Sequence, residues 1–122
     1  MESSYKGKTG LKRIWNALFC SIAGLSAAFR HEDAFRQEVA LAVVLVPTAL
    51  FLPVAALAKA LMIFSVLLIL IVELLNSAIE AAVDHASLEQ HPLAKRAKDI
   101  GSAAVLVSLL NAVITWLLLL MN

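Results

Sequence analysis

The chain is poor in charge. Of its 122 residues, 16% are Asp, Glu, Lys or Arg, while 61% are hydrophobic. A soluble domain carries about 25% charged residues and about 45–50% apolar ones. Too little polar surface remains to coat a globule of this size, and a multidomain enzyme is excluded. Ten Lys and Arg nearly cancel nine Asp and Glu, so there is no global basic footprint for nucleic acid. A single cysteine, Cys20, excludes an intrachain disulfide framework and a cysteine-based zinc site. No internal repeat occurs, and no linker beyond the first ten residues. The remaining class is a small integral membrane protein.

Familiar catalytic signatures are also missing. Gly7-Lys8-Thr9 resembles the end of a phosphate loop, but Glu2 stands where its first glycine belongs, and no strand precedes it. There is no glycine-rich kinase loop, no HExxH and no hydrolase elbow. Ser26, Ser65 and Ser108 have no histidine suited to a triad. Phosphoryl transfer here would need other machinery.

Three long apolar runs are present. Val39–Ala58 and Ile100–Asn122 are long enough to cross the hydrocarbon, which takes roughly 20 apolar residues of helix. The run from Ala60 to Ile79 crosses only if it carries Glu73 at membrane depth, and Glu80 near its end. Backbone groups in lipid must be paired within their own segment, so these runs are expected to be helices. Pro47 is expected to kink the first and Pro53 to end it. Before them, Leu11, Ile14, Trp15, Leu18, Ile22, Leu25 and Phe29 recur at helical spacing, with Lys12, Arg13, Asn16 and Ser26 between. That pattern fits a helix lying on a membrane surface. A cleavable signal peptide, with Ala27-Ala28 as its small pair, fits less well: its core would be uniformly apolar. The expected architecture is an all-α membrane protein forming one domain. A surface helix spans about residues 8–30, and the membrane spans cover about 33–52, 55–86 and 93–121.

Basic residues set the expected orientation. Six precede Val39 (Lys6, Lys8, Lys12, Arg13, Arg30, Arg36). Lys59 stands alone after the first span, and Lys95, Arg96 and Lys98 precede the third. The N-terminus and second loop are expected in the cytoplasm and the C-terminus outside.

The informative residues are acids inside the membrane. A carboxylate at helix centre costs roughly 2.5–3.5 kcal/mol by insertion scales. Glu73, Asn76, Glu80 and Asp84 are spaced i, i+3, i+7, i+11, which places them on one helix face. At about 1.5 Å per residue the stripe is roughly 16 Å long. Asn76 alone could be interhelical glue, but packing does not require three mutually repelling acids. Glu32, Asp33, Arg36, Gln37 and Glu38 precede the first span, and Lys95, Lys98, Asp99 and Ser102 share a face at the start of the third. Singly these are solvated flanks. Together, acids from two helices and lysines from a third suit a polyanion complexed with Mg²⁺, which one or two carboxylates plus phosphate oxygens hold.

The segment Glu73-Leu-Leu-Asn76-Ser77-Ala78-Ile79-Glu80-Ala-Ala-Val83-Asp84 closely resembles the signature of the prokaryotic diacylglycerol kinases. Ala34-Phe35-Arg36-Gln37-Glu38 and Arg96-Ala97-Lys98-Asp99-Ile100-Gly101-Ser102-Ala103-Ala104 resemble that family's other two blocks, in order. The resemblance covers about Leu11 to Trp116. It implies a homotrimeric lipid kinase of the bacterial inner membrane with active sites shared between protomers. Such an enzyme transfers the γ-phosphoryl group of MgATP to diacylglycerol, giving phosphatidic acid in phospholipid recycling. On matching positions Glu73 is the general base, with Asn76 beside it, and Glu32 and Glu80 are the metal-linked carboxylates. Arg13, Glu32, Glu80, Glu89, Gln90, His91, Lys98 and Asp99 line the nucleotide. Arg13, Ala34, Phe35, Arg36, Gln37, Glu38, Glu73, Ser102 and Trp116 lie near the lipid. Cys20 and Ser26 depart from the family pattern, where an aromatic and a basic residue are common near the nucleotide. A branch of similar fold phosphorylates undecaprenol. Two other readings compete: a proton- or ion-conducting oligomer with Glu73 as carrier, and a non-catalytic assembly subunit. Ala78, Ala81, Ala82, Gly101, Ala103 and Ala104 are the small residues expected to pack chains together.

Overall fold

The structure, a computed structural model, describes residues 10–86 and 91–121. These form four helices and no strand: α1 (Gly10–His31), α2 (Asp33–Phe51), α3 (Ala56–Ala86) and α4 (Pro92–Leu120). The last three are long and apolar enough to cross a membrane. α3 is the centre of the packing, with α4 and then α2 as its main neighbours, and α1 rests on α2 and α3.

Each contact follows from the sequence pattern. The α2 residues turned inward are Phe35, Glu38, Ala42, Leu45 and Ala49, at steps of three and four. Those of α3 are Met62, Ser65, Val66, Ile69, Glu73 and Asn76, so the polar stripe continues the packed face. α4 meets them with Gly101, Ser108 and Ala112, all small. Helices in lipid lack a hydrophobic driving force between them, and small residues let backbones approach for van der Waals contact. Trp116 Nε1 donates to Ser65 Oγ at 3.1 Å and Met62 O at 3.2 Å, tying the far ends of α3 and α4.

The helix ends explain the turns. Glu32, in extended backbone at φ −116°, separates α1 from α2. The Arg36 guanidinium reaches back to the carbonyls of Phe29 (2.7 Å) and Arg30 (3.0 Å) and pairs with Asp33. It thereby satisfies orphan carbonyls at the C-terminal end of α1, where a cation is favoured. α2 continues through Pro47, and its last turn is met by Lys59 Nζ on Leu50 O at 2.6 Å. α4 begins with Pro92 in its first turn, and His91 caps it by accepting from Leu93 N at 3.1 Å.

Large apolar side chains point outward all along the spans, for example Val43, Phe64, Leu106 and Leu118. In water such a surface is untenable; in a bilayer it is the lipid contact. The apolar residues of α1, Leu11 through Phe29, are likewise exposed.

Candidate functional site

Antiparallel packing brings the start of α2, the end of α3 and the start of α4 to one end of the bundle, next to the α1–α2 elbow. The acids and lysines singled out in the sequence gather there. Along α3 the stripe is graded: Glu73 is 4% and Asn76 7% exposed, Glu80 is half-buried and Asp84 is open. The rise per residue places Glu73 roughly 16 Å deeper than Asp84.

Asn76 Nδ2 donates to Glu80 Oε1 at 3.2 Å. Asp84 accepts from Lys98 Nζ of α4 at 2.8 Å, and Asp99 accepts from Lys95 Nζ at 2.6 Å. Glu73 lies within the electrostatic field of Glu80 and of Glu32, and Glu38 within that of Glu73. Four carboxylates therefore share one neighbourhood, and Glu38 Oε2 is buried with no hydrogen-bond partner. Such an accumulation of like charge is costly and marks functional sites more often than structural ones. Among the described residues no three His, Cys, Asp or Glu side chains converge closely enough to hold a metal ion by themselves.

Between α1 and α3 lies a cleft of about 700 Å³, bordered by Gly24, Ala28, His31, Glu32, Ser77 and Ala81. Glu32 thus borders the same cleft as Ser77 and Ala81 of α3. On the other side an apolar slot of about 340 Å³ runs between α2 and α4, lined by Leu41, Leu45, Ile69, Leu109 and Trp116. Ile69 is one turn deeper than Glu73 on the same face.

Other residues expected at a site are placed as follows. Phe35 is buried, while Ala34, Gln37 and Ser102 are exposed at the same end of the bundle. Arg36 is engaged at the elbow and His91 caps α4. Trp116 is bonded at the level of Ser65, roughly 12 Å along α3 from Glu73. Arg13 is exposed, eight residues before Ser21, the first α1 residue at the cleft; the separation is roughly 12 Å along the helix, so Arg13 does not border the cleft. Glu89 and Gln90 lie outside the described residues. Cys20 is exposed, and Ser26 accepts from Arg30 Nη2 at 2.7 Å. Gly101, expected to pack one chain on another, is instead buried inside its own chain against Asn76.

Two features of the site went unread in the sequence. Glu38 occupies the α2 face that meets α3, within the field of Glu73. Its position three residues after Phe35 and four before Ala42 was the available signal. The close approach of Gly101 to Asn76 depends on the register of two helices, and no local pattern carries it.

The model of the family described as prokaryotic diacylglycerol kinase matches residues 19–120. A diacylglycerol kinase of Pseudomonas aeruginosa is 60% identical over 120 residues, 98% of each chain. One of Escherichia coli K12 is 52% identical over 112 residues, 92% of each chain. One of Haemophilus influenzae is 46% identical over 108 residues, 88% of this chain and 92% of the relative.

Proposed function

The chain belongs to the prokaryotic diacylglycerol kinase family, and from that premise we propose that it transfers the γ-phosphoryl group of ATP to the free hydroxyl of diacylglycerol. The products are phosphatidic acid and ADP. The observation that carries this reading is the graded stripe on α3, with a buried carboxylate, Glu73, at its deep end and open acids and lysines at the other. A lipid hydroxyl sits at the headgroup boundary and ATP arrives from the water; the stripe joins the two levels.

In the proposed step the Glu73 carboxylate takes the hydroxyl proton as the lipid oxygen attacks the γ-phosphorus in line. The bond to the bridging oxygen breaks, and ADP leaves with its electron pair. Asn76 orients Glu80 beside this centre. Lys98, poised on Asp84, meets phosphate as a point charge. Glu32 from the elbow and Glu80 from α3 would hold Mg²⁺ with the nucleotide, since one or two carboxylates suffice when phosphate oxygens complete the shell. The ion, when bound, neutralises charge on the phosphates. The apolar slot beside Ile69 accepts an acyl chain.

The cytoplasmic face of the bacterial inner membrane fits the basic residues gathered at the site's end, Arg36, Lys95, Arg96 and Lys98, against Lys59 at the other. A homotrimer with composite sites accounts for the distance of Arg13 from the cleft and for the exposed small residues Ala78, Ala81, Ala103 and Ala104.

Two measurements bear on this reading. Purified protein in mixed micelles, given labelled ATP with diacylglycerol and undecaprenol side by side, is expected to label diacylglycerol; preferential labelling of undecaprenol would move the chain to the undecaprenol branch. Glu32→Gln and Glu80→Gln are each expected to raise the Mg²⁺ concentration needed for activity, with a double variant little worse than either single one, because both serve one nucleotide unit. Metal titrations that found independent, additive effects would separate the two residues.

A further inference from the structure

Asn76 lies where α3 meets α4. Its Nδ2 donates to Glu80 Oε1 at 3.2 Å, but its Oδ1 is buried with no hydrogen-bond partner. An unmet buried amide oxygen costs about 1–3 kcal/mol and calls for an explanation. Facing it is Gly101 of α4, itself buried. A Cβ on Gly101 would collide with Asn76 Oδ1 and lie 3.2 Å from its Cγ. The backbone of Gly101 is ordinary helix, since Gly10 is the one glycine with positive φ among the described residues. Any side chain at position 101 would therefore have to displace the Asn76 amide. Gly24 of α1, by contrast, has nothing within 4 Å of where a Cβ would stand. The amide oxygen occupies the space that a side chain at position 101 would fill.

We propose that Gly101 is a positioning residue for phosphoryl transfer: its missing side chain is the seat of the Asn76 amide, which in turn aims Glu80. The chain of contacts runs from α4 to α3 and then one turn along α3. Bulk at position 101 pushes the amide out of its seat, and the bond to Glu80 is lost with it. The proposal rests on the reading of Glu80 as a carboxylate that holds the metal–nucleotide complex.

The test is a cycle of four purified proteins: the natural sequence, Gly101→Ala, Asn76→Ala and the double variant. Two quantities are read from each, kcat with diacylglycerol and the binding of Mn²⁺ with ATP by electron paramagnetic resonance. Gly101→Ala is expected to lower kcat on the order of 10²-fold, the cost of misplacing a catalytic group by about 1 Å. It should also weaken Mn²⁺ binding while leaving the KM for diacylglycerol near its original value. In the Asn76→Ala background the same change at 101 is expected to alter neither quantity, because the side chain it displaces is gone. Equal losses in both backgrounds would overturn the proposal, as would a loss of kcat with Mn²⁺ binding intact. Should Gly101→Ala fail to assemble, the double variant must still do so; its failure would show that position 101 meets more than Asn76 and would also overturn the proposal. If the natural sequence phosphorylated no lipid, the kinase reading would fall, yet Mn²⁺ binding across the four proteins would still decide the coupling of Gly101 to Asn76 and Glu80.

Discussion

Glu73→Gln is expected to leave a folded oligomer that still binds ATP but turns over about 10²–10⁴-fold more slowly, the usual cost of losing a general base. The substitution keeps the size of the side chain, so the packed face of α3 from Met62 to Asn76 is preserved. It removes one negative charge from a neighbourhood that also holds Glu32, Glu38 and Glu80, so the fold is expected to become no less stable. Loss of turnover with unchanged or raised thermal stability is therefore the signature of a catalytic role. Near-normal kcat in a well-folded variant would remove Glu73 from the chemistry.

Mixing two inactive chains is expected to restore activity. Glu73 stands on α3 and Lys98 on α4, and within one chain Lys98 is occupied by Asp84 at 2.8 Å, near the open end of the stripe. Within one chain Glu73 and Asn76 are already enclosed, but Glu80 and Asp84 at the other end of the stripe are not, and Arg13 falls short of the cleft. In the proposed trimer a neighbouring copy would enclose that open end. Mixed trimers of Glu73→Gln and Lys98→Ala chains would then contain some sites in which both residues are intact. Co-reconstitution after dissociation, assayed against each parent alone, gives the answer. Activity well above both parents supports a composite site; no recovery from trimers shown to be mixed would place both residues in a site within one chain.

Much of this site was legible because helices impose a fixed period. Glu73, Asn76, Glu80 and Asp84 had to share a face once the segment was helical, and the apolar runs around them made helices the only economical backbone. Charge asymmetry pointed to the end of the bundle at which the site would gather. What stayed hidden depends on how helices meet. Glu38 shares the α2 face of Phe35 and Ala42, which its spacing shows, but that this face meets α3 is fixed only when the two helices pack. Arg36 closes the α1–α2 elbow on the carbonyls of Phe29 and Arg30, a contact that no pattern within α2 carries. Gly101 reads as a contact between chains until the register of α3 and α4 sets it against Asn76. Periodicity is a property of one helix; these three are properties of pairs.

The proposed reaction moves a phosphoryl group from ATP to a lipid hydroxyl at the Glu73 end of the stripe. It is tested most directly by following γ-labelled ATP and diacylglycerol together on the purified protein in a sealed bilayer or mixed micelle. The predicted result is one labelled phosphatidic acid for each ADP formed, with labelling slowed about 10²–10⁴-fold by Glu73→Gln. ATP consumed without labelled lipid, or lipid labelled as fast by the Glu73→Gln protein, would contradict it.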